Sequence, residues 1–368
     1  MENPTLNRLM ASLAQQELDG LVLNPGPSLY YITGLSFHLM ERPVLLFLIP
    51  GHSPKIILTE LEIVKLEKSK LELEPYLYGD DPSTWSNIIS GAIESLELEG
   101  KKIGVESLHL RFMELSFLRK ALPKTQFVSA ASILDSLRIC KQPEEIRAII
   151  RAVKIAESAL LNTIPFIRIG ISEKEIASEL TLQLIKAGSE PELSFKPIVA
   201  SGPNSANPHA EPSDRLLQVG DMLVIDWGAR VDGYISDLTR TFCLGKMEPE
   251  FEKIYDLVLS ANTAGRAAAH AGITAGTIDQ AARRIISDGG YGPYFTHRTG
   301  HGIGLEAHEP PYIFGENDLI LTPGMCFTVE PGIYLAGRNG VRIEDNIVIT
   351  ADGVESLSTL PRELQIIG

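Results

Sequence analysis

Four carboxylates and a histidine cluster in the second half of this 368-residue chain are of the types that hold divalent cations. The first two acids flank a turn. Val224-Ile225-Asp226-Trp227-Gly228 leads into Val231-Asp232-Gly233-Tyr234, and Ser236-Asp237-Leu238-Thr239 follows. Asp-Gly between apolar runs signals a two-residue hairpin, which sets Val231 against Tyr234, Asp226 against Thr239 and Gly228 against Asp237. Side chains alternate along a strand, so all four of these last residues share one face. Asp226 and Asp237 then become diagonal neighbours, roughly 7–8 Å apart. Two acids so placed repel unless a cation lies between them, and two divalent ions about 3.5–4 Å apart suit the gap. On the hairpin alone, a pair of surface acids balanced by Arg240 is an equal alternative.

Three of the eight histidines, His297, His301 and His308, fall within twelve residues, among Gly300, Gly302 and Gly304. The glycines exclude a stable helix and permit close backbone approach. Imidazole serves as a metal ligand or a proton-transfer group. Glu330 and Glu344 stand beside β-branched residues, where a buried charge needs a partner. A strand through Arg342 and Glu344 points both side chains the same way, which also fits an ordinary ion pair. His209 lies in a proline-rich loop, a frequent place for binding groups.

These residues need a scaffold, and the pattern supplies one. The first 130 or so residues alternate a helix over 4–17 with strands over 20–23, 44–49 and 55–58, an α/β domain with a mixed sheet. A boundary near 136–142 divides the chain into 1–135 and 136–368. Pro143 with Glu144 and Glu145 opens a helix running to about Leu161, and further helices fit 173–187 and 250–271. Strands are expected over 222–226, 234–243, 325–330 and 342–350. The formal charge of −14 argues against nucleic acid. Three cysteines without close spacing suit a reducing compartment. The start lacks a signal-peptide pattern and no apolar run is long enough for a membrane span, so a cytoplasmic protein is expected.

In this order the motifs resemble the pita-bread metallopeptidases, specifically the branch of aminopeptidase P and prolidase. The matching stretches are Ser201-Gly202-Pro203-Asn204 with Pro208-His209, then 226–241, 297–309, 327–332 and 340–345. The first domain resembles the creatinase-like N-terminal domain of that branch. The second resembles its α+β pita-bread catalytic domain, and Lys141-Gln142-Pro143-Glu144 resembles that fold's opening. The resemblance implies that Asp226, Asp237, His301, Glu330 and Glu344 hold two divalent ions per subunit, with Asp237 and Glu344 bridging them. This oxygen-rich set suits Mn²⁺, with Co²⁺, Fe²⁺ or Zn²⁺ as alternatives. It also implies that Glu330 relays the proton of the attacking water to the leaving proline nitrogen. His209 and His308 resemble the imidazoles at the carbonyl oxygen, and His297 and Arg342 resemble residues lining the pocket.

The activity implied is hydrolysis in front of proline, on peptides with proline at the second position. Prolidases often carry a basic residue shortly after the His308-Glu309 pair, and this chain has Tyr312 there. Tyrosine supplies no charge at neutral pH, so an Xaa-Pro aminopeptidase is expected, with the dipeptidase (prolidase) as the alternative. In relatives the loop of Ser36-Phe37-His38 reaches a neighbouring subunit's site, so a homodimer is expected, with His38, Glu41 and Arg42 able to limit substrate size. A methionine aminopeptidase usually lacks so large a first domain. A creatinase-like hydrolase has lost the metal ligands. A non-catalytic binding protein has little reason to keep all five with His209 and His308.

Overall fold

Strict alternation along Gly20–Leu23 explains the N-terminal unit. Leu21 and Leu23 join Leu46, Leu48, Ile56 and Leu58 in one buried cluster, while Val22 joins Leu45, Phe47, Ile57 and Ile103 in another. Both faces of the sheet are therefore covered. The structure, a computed structural model, describes residues 4–368, so the reading of Met1, Glu2 and Asn3 lies outside it. The chain divides into two compact units between Arg138 and Ile139. The first unit's six strands run in the order Glu74–Tyr78, Lys55–Thr59, Leu45–Leu48, Gly20–Leu23, Lys102–Val105, Gln126–Ser129. Leu45–Leu48 is antiparallel to both neighbours and the other pairs are parallel, giving the expected mixed sheet. Helices Pro4–Gln15 and Ala131–Arg138 cover one face, Pro82–Glu94 and Phe112–Ala121 the other.

In the second unit, helix Pro143–Thr163 starts as expected, with proline in its first turn and the Glu145 carboxylate accepting the Gln142 amide at 2.6 Å. Ser172 and Glu175 form a capping box for helix Glu173–Ala187, and Gly188, at φ 105°, ends it. These two helices share a buried core with the sheet of Ile198–Ser201, Met222–Trp227, Leu238–Leu244 and Gln365–Ile367. Of a second helix pair, Ala275–Asp288 packs on the sheet of Glu309–Ile313, Gly300–Gly302, Cys326–Val329, Asp345–Ile349 and Val354–Ser356, and Pro249–Ala268 clusters with Met222, Cys243, Ile333 and Val341. The sequence pattern marks no helix over Ala275–Asp288.

Two expected strands are broken, each at a residue that matters. The segment 234–243 divides into Tyr234–Ile235 and Leu238–Leu244, because the Asp237 amide donates to the Asn346 side chain at 3.1 Å instead of to a strand partner. The segment 342–350 is a strand only over Asp345–Ile349, and Gly340–Arg342 pairs instead with Gly332–Tyr334. Between them the Glu344 amide donates to the Thr239 carbonyl at 3.1 Å, a bridge between the two larger sheets. Among the described residues, no helix is long and apolar enough to cross a membrane, and all three cysteines are free.

Candidate metal centre

The Asp232-Gly233 turn sets the first half of the site. Both residues have positive φ, 52° and 79°, the two-residue turn whose twist matches its strands. Tyr234 pairs with Val231 and Thr239 with Asp226, the register expected from the sequence. The second sheet brings His301 from Gly300–Gly302, Glu330 from the end of Cys326–Val329, and Glu344 from the break before Asp345–Ile349. The glycines around His301 permit this approach: a Cβ on Gly300 would stand 1.9 Å from the Thr328 carbonyl oxygen.

His301 Nε2 lies 3.2 Å from Glu330 Oε1 and 3.6 Å from Asp237 Oδ2. Donor atoms of Asp237, His301 and Glu344 all fall within 4.8 Å of one another. Burial and the neighbouring acids push the carboxyls of Asp237 and Glu344 well above the usual carboxylate range. Burial also raises Asp226, against the opposing charge of Arg342. For Glu330 burial acts upward, but the hydrogen bond and charge of His301, aided by His297 and Arg342, hold it at about 2. Asp226 Oδ1 and Glu344 Oε1 are buried without a hydrogen-bond partner. Unpaired buried carboxylate oxygens are costly, and cations among them remove that cost. The donor set therefore fits divalent metal, with oxygen ligands predominating.

Around this cluster the side chains are tied down. Arg342 donates to Asp226 at 2.6 Å, to Thr239 Oγ1 at 3.1 Å and to Tyr334 Oη at 3.0 Å. It pairs with Asp226, not Glu344, because the chain turns between Arg342 and Asp345. Thr239 Oγ1 donates to Glu344 Oε2 at 2.6 Å, fixing one carboxylate oxygen and leaving the other toward the cluster. Tyr334 Oη also meets His297 Nε2 at 2.8 Å, and His297 Nδ1 meets the Arg298 carbonyl at 2.8 Å. The Arg298 carbonyl can only accept, so Nδ1 carries a proton, and a neutral ring then accepts the phenol hydrogen at Nε2. Burial lowers its pKa in agreement. The His308 ring stands edge-on to His301 at 4.2 Å between centroids. Partial burial, then the charges of His301 and Arg298, lowers His308 to about 4.

A cavity of about 600 Å³ is lined by His209, Asp226, Asp237, His297, His301, His308, Glu330, Arg342 and Glu344, every site residue named from the sequence. Phe195, Lys196, Ile198, Pro208, Arg298 and Ala307 complete the lining. Arg298 and Tyr334 are additions that sequence reasoning missed. Arg298 stacks over the Tyr312 ring at 4.6 Å and lines the cavity, so a cation stands beside the uncharged tyrosine. Its only sequence signal is its place inside the histidine segment. Arg42, expected to act at a neighbouring site, pairs with Glu41 at 2.6 Å and Asp80 at 2.7 Å.

Residues 6–140 match the creatinase/prolidase N-terminal domain, and residues 147–351 match metallopeptidase family M24. An Xaa-Pro dipeptidase of Lactobacillus helveticus is 35% identical over 98% of this chain and 98% of its own. A recombinant prolidase from Thermococcus sibiricus superposes with a TM-score of 0.94 at 34% identity, covering all of both chains. An X-Pro aminopeptidase from Thermotoga maritima superposes at 0.85 with 31% identity, over 98% of this chain and 99% of its own. The matches support the dipeptidase alternative better than the aminopeptidase expectation. With its paired matches, its two-unit architecture and its buried carboxylate–imidazole cluster, the chain belongs to metallopeptidase family M24 and is a metal-dependent Xaa-Pro peptidase.

Proposed function

We propose that this enzyme is an Xaa-Pro dipeptidase, and the observation that carries the reading is Arg298. Its guanidinium lines the cavity, half-buried and stacked on Tyr312. A free proline carboxylate matches a guanidinium fork. Lys196 also lines the cavity, but it is exposed, and an exposed point charge is screened by solvent and salt. Phe195, Ile198, Pro208 and Ala307 give the same cavity an apolar surface for the pyrrolidine ring. A bond preceding proline has no N–H, so the site needs no acceptor there.

Asp226, Asp237, His301, Glu330 and Glu344 would hold two ions, for which Mn²⁺ suits the donors. Bound there, the ions would polarise the scissile carbonyl and acidify a water. Glu330 takes the proton from that water and delivers it to the proline nitrogen. His308, neutral at working pH, donates to the carbonyl oxygen as its charge grows, with His209 beside it. His297 and Arg342, locked through Tyr334, hold Asp226 in place.

Measuring kcat/KM for Ala-Pro, Ala-Pro-amide and Ala-Pro-Ala tests the substrate. A charge-assisted hydrogen bond contributes about 1.5–3 kcal/mol, so Ala-Pro should lead by roughly ten- to a hundredfold. Arg298→Ala should erase that lead and Lys196→Ala should keep it. Equal rates on all three substrates in the unaltered enzyme would return the aminopeptidase reading. His308→Ala should lower kcat by roughly 10²–10³ with ion content unchanged.

A further inference from the structure

His209 stands on a loop that makes no regular structure around it, yet that loop is clamped from one side by a single buried carboxylate. Glu173, fully buried at the first turn of helix Glu173–Ala187, has no place in the chemistry above. Its Oε1 accepts from the Ser201 amide at 2.7 Å, from Ser201 Oγ at 2.8 Å and from Asn204 Nδ2 at 3.2 Å. Its Oε2 accepts from Asn204 Nδ2 at 3.1 Å, from the Ser213 amide at 3.0 Å and from Ser213 Oγ at 2.7 Å. Residues 201 and 213 are the two ends of the segment that carries His209. The helix amides return the contact: Glu173 N donates to the Arg215 carbonyl at 3.2 Å and Lys174 N to the Ser213 carbonyl at 3.1 Å. On the cavity side the Gly340 amide donates to Ser205 Oγ at 2.8 Å and the Arg342 guanidinium to the Pro208 carbonyl at 3.4 Å.

We propose that Glu173 is a positioning residue for His209, closing both ends of its loop so that the imidazole stands in the cavity. The proposal rests on the role given to His209 above. Only a carboxylate satisfies both ends, because each of its oxygens faces a backbone amide and Asn204 Nδ2, which can only donate. A glutamine would turn its own NH₂ toward one of them. The loop would then relax at one end and shift the imidazole, and a misplacement of about 1 Å costs up to about a hundredfold in rate.

The test is a double-mutant cycle of Glu173→Gln and His209→Ala, reading kcat and KM on Ala-Pro, ion content and Tm. Glu173→Gln should lower kcat by about ten- to a hundredfold with ion content unchanged. In the His209→Ala background it should lower kcat by less than about twofold, since the group it positions is gone. A purely structural role would lower Tm in both backgrounds and kcat equally in both, which overturns the proposal. So does no fall in kcat in either background. If His209→Ala itself keeps full kcat, the role of His209 fails and the proposal fails with it. If His209→Ala loses kcat while Glu173→Gln does not, only the proposal fails. Should Glu173→Gln be recovered unfolded, Ser213→Ala, which keeps the carboxylate and its other donors, runs the same cycle with a smaller fall expected.

Discussion

Glu344 and Asp345 are consecutive, both buried, and electrostatically opposite. Glu344 faces other acids. Burial and the charges of Glu330 and Asp226 push its carboxyl well up, and its Oε1 has no hydrogen-bond partner. Asp345 faces the other way, accepting from Arg240 at 2.9 Å and from Arg362 at 2.6 Å, with Arg266 at 3.6 Å. Burial acts upward on it too, but those guanidiniums hold its carboxyl below the usual range. One register step thus separates a charge whose compensation is built into the fold from one that needs a cation supplied from outside. The contrast also helps locate the site: Asp345 is held by guanidiniums of the fold, whereas Glu344 keeps a buried oxygen that only a cation from outside can pair.

The largest effects should separate these two roles. Glu344→Ala should release at least one ion and lower kcat on the order of 10³-fold or more, since the ions supply several kcal/mol of transition-state stabilisation. The same change should cost the metal-free protein little stability, because it removes a repulsion. Metal analysis, kcat, and Tm in chelator check all three points, and full activity in the variant would break the comparison. Asp345→Asn should do the reverse. Removing one member of a buried ion cluster costs about 3–5 kcal/mol, read as a lower Tm with or without ions. If Asp345→Asn left Tm unchanged in the metal-free protein, the distinction between the two carboxylates would fail.

Legibility followed the range of the interactions. The Asp232-Gly233 turn is local chemistry, so the pairing of Asp226 with Thr239 is readable from the residues themselves. Helix Glu173–Ala187 is likewise marked at both ends, by a serine cap and a glycine stop. The break at Glu344 has no such mark. Val341 and Ile343 keep an apolar alternation through it, and its cause is a hydrogen bond to Thr239, more than a hundred residues earlier. Arg298 and Tyr334 are hidden for the same reason. Arg298 is defined by its stacking on Tyr312, and Tyr334 by lying between His297 and Arg342. Glu173 looks like an ordinary acid in a helix's first turn, and only the fold makes six bonds converge on it. The resemblance to a family supplied the ligand set. It did not supply the charge on the cavity wall, because the basic residue of prolidases follows the histidine pair and the cation here precedes it.

The smallest expected effect sharpens the comparison most directly, because it uses only protons. In metal-free enzyme Asp226, Asp237 and Glu344 have folded-state pKa values raised above their unfolded ones. Such groups give their full contribution below the ordinary carboxylate pKa of about 4 and lose it as pH rises through the raised values. Each loses about 1.4 kcal/mol per pH unit between the two values, and a kcal/mol moves Tm by about 2–4 °C in a domain of 150–250 residues. Asp345 has the opposite shift. Its contribution is complete above about pH 4 and disappears only as pH falls through its depressed value, so it is constant between about pH 5 and 8. His297 and His308, both lowered, act against the acids below about 6.5. The informative quantity is therefore the difference between two Tm profiles in chelator, unaltered protein against Glu344→Ala, from about pH 5 to 8. Removing Glu344 removes its own raised titration and part of the repulsion on Asp237, so the variant's Tm should decline less with pH, by a few degrees. Mn²⁺ added to the unaltered protein should flatten its profile in the same direction, since bound cations favour the ionised acids. Parallel profiles in chelator would mean that Glu344 is compensated within the fold after all, as Asp345 is.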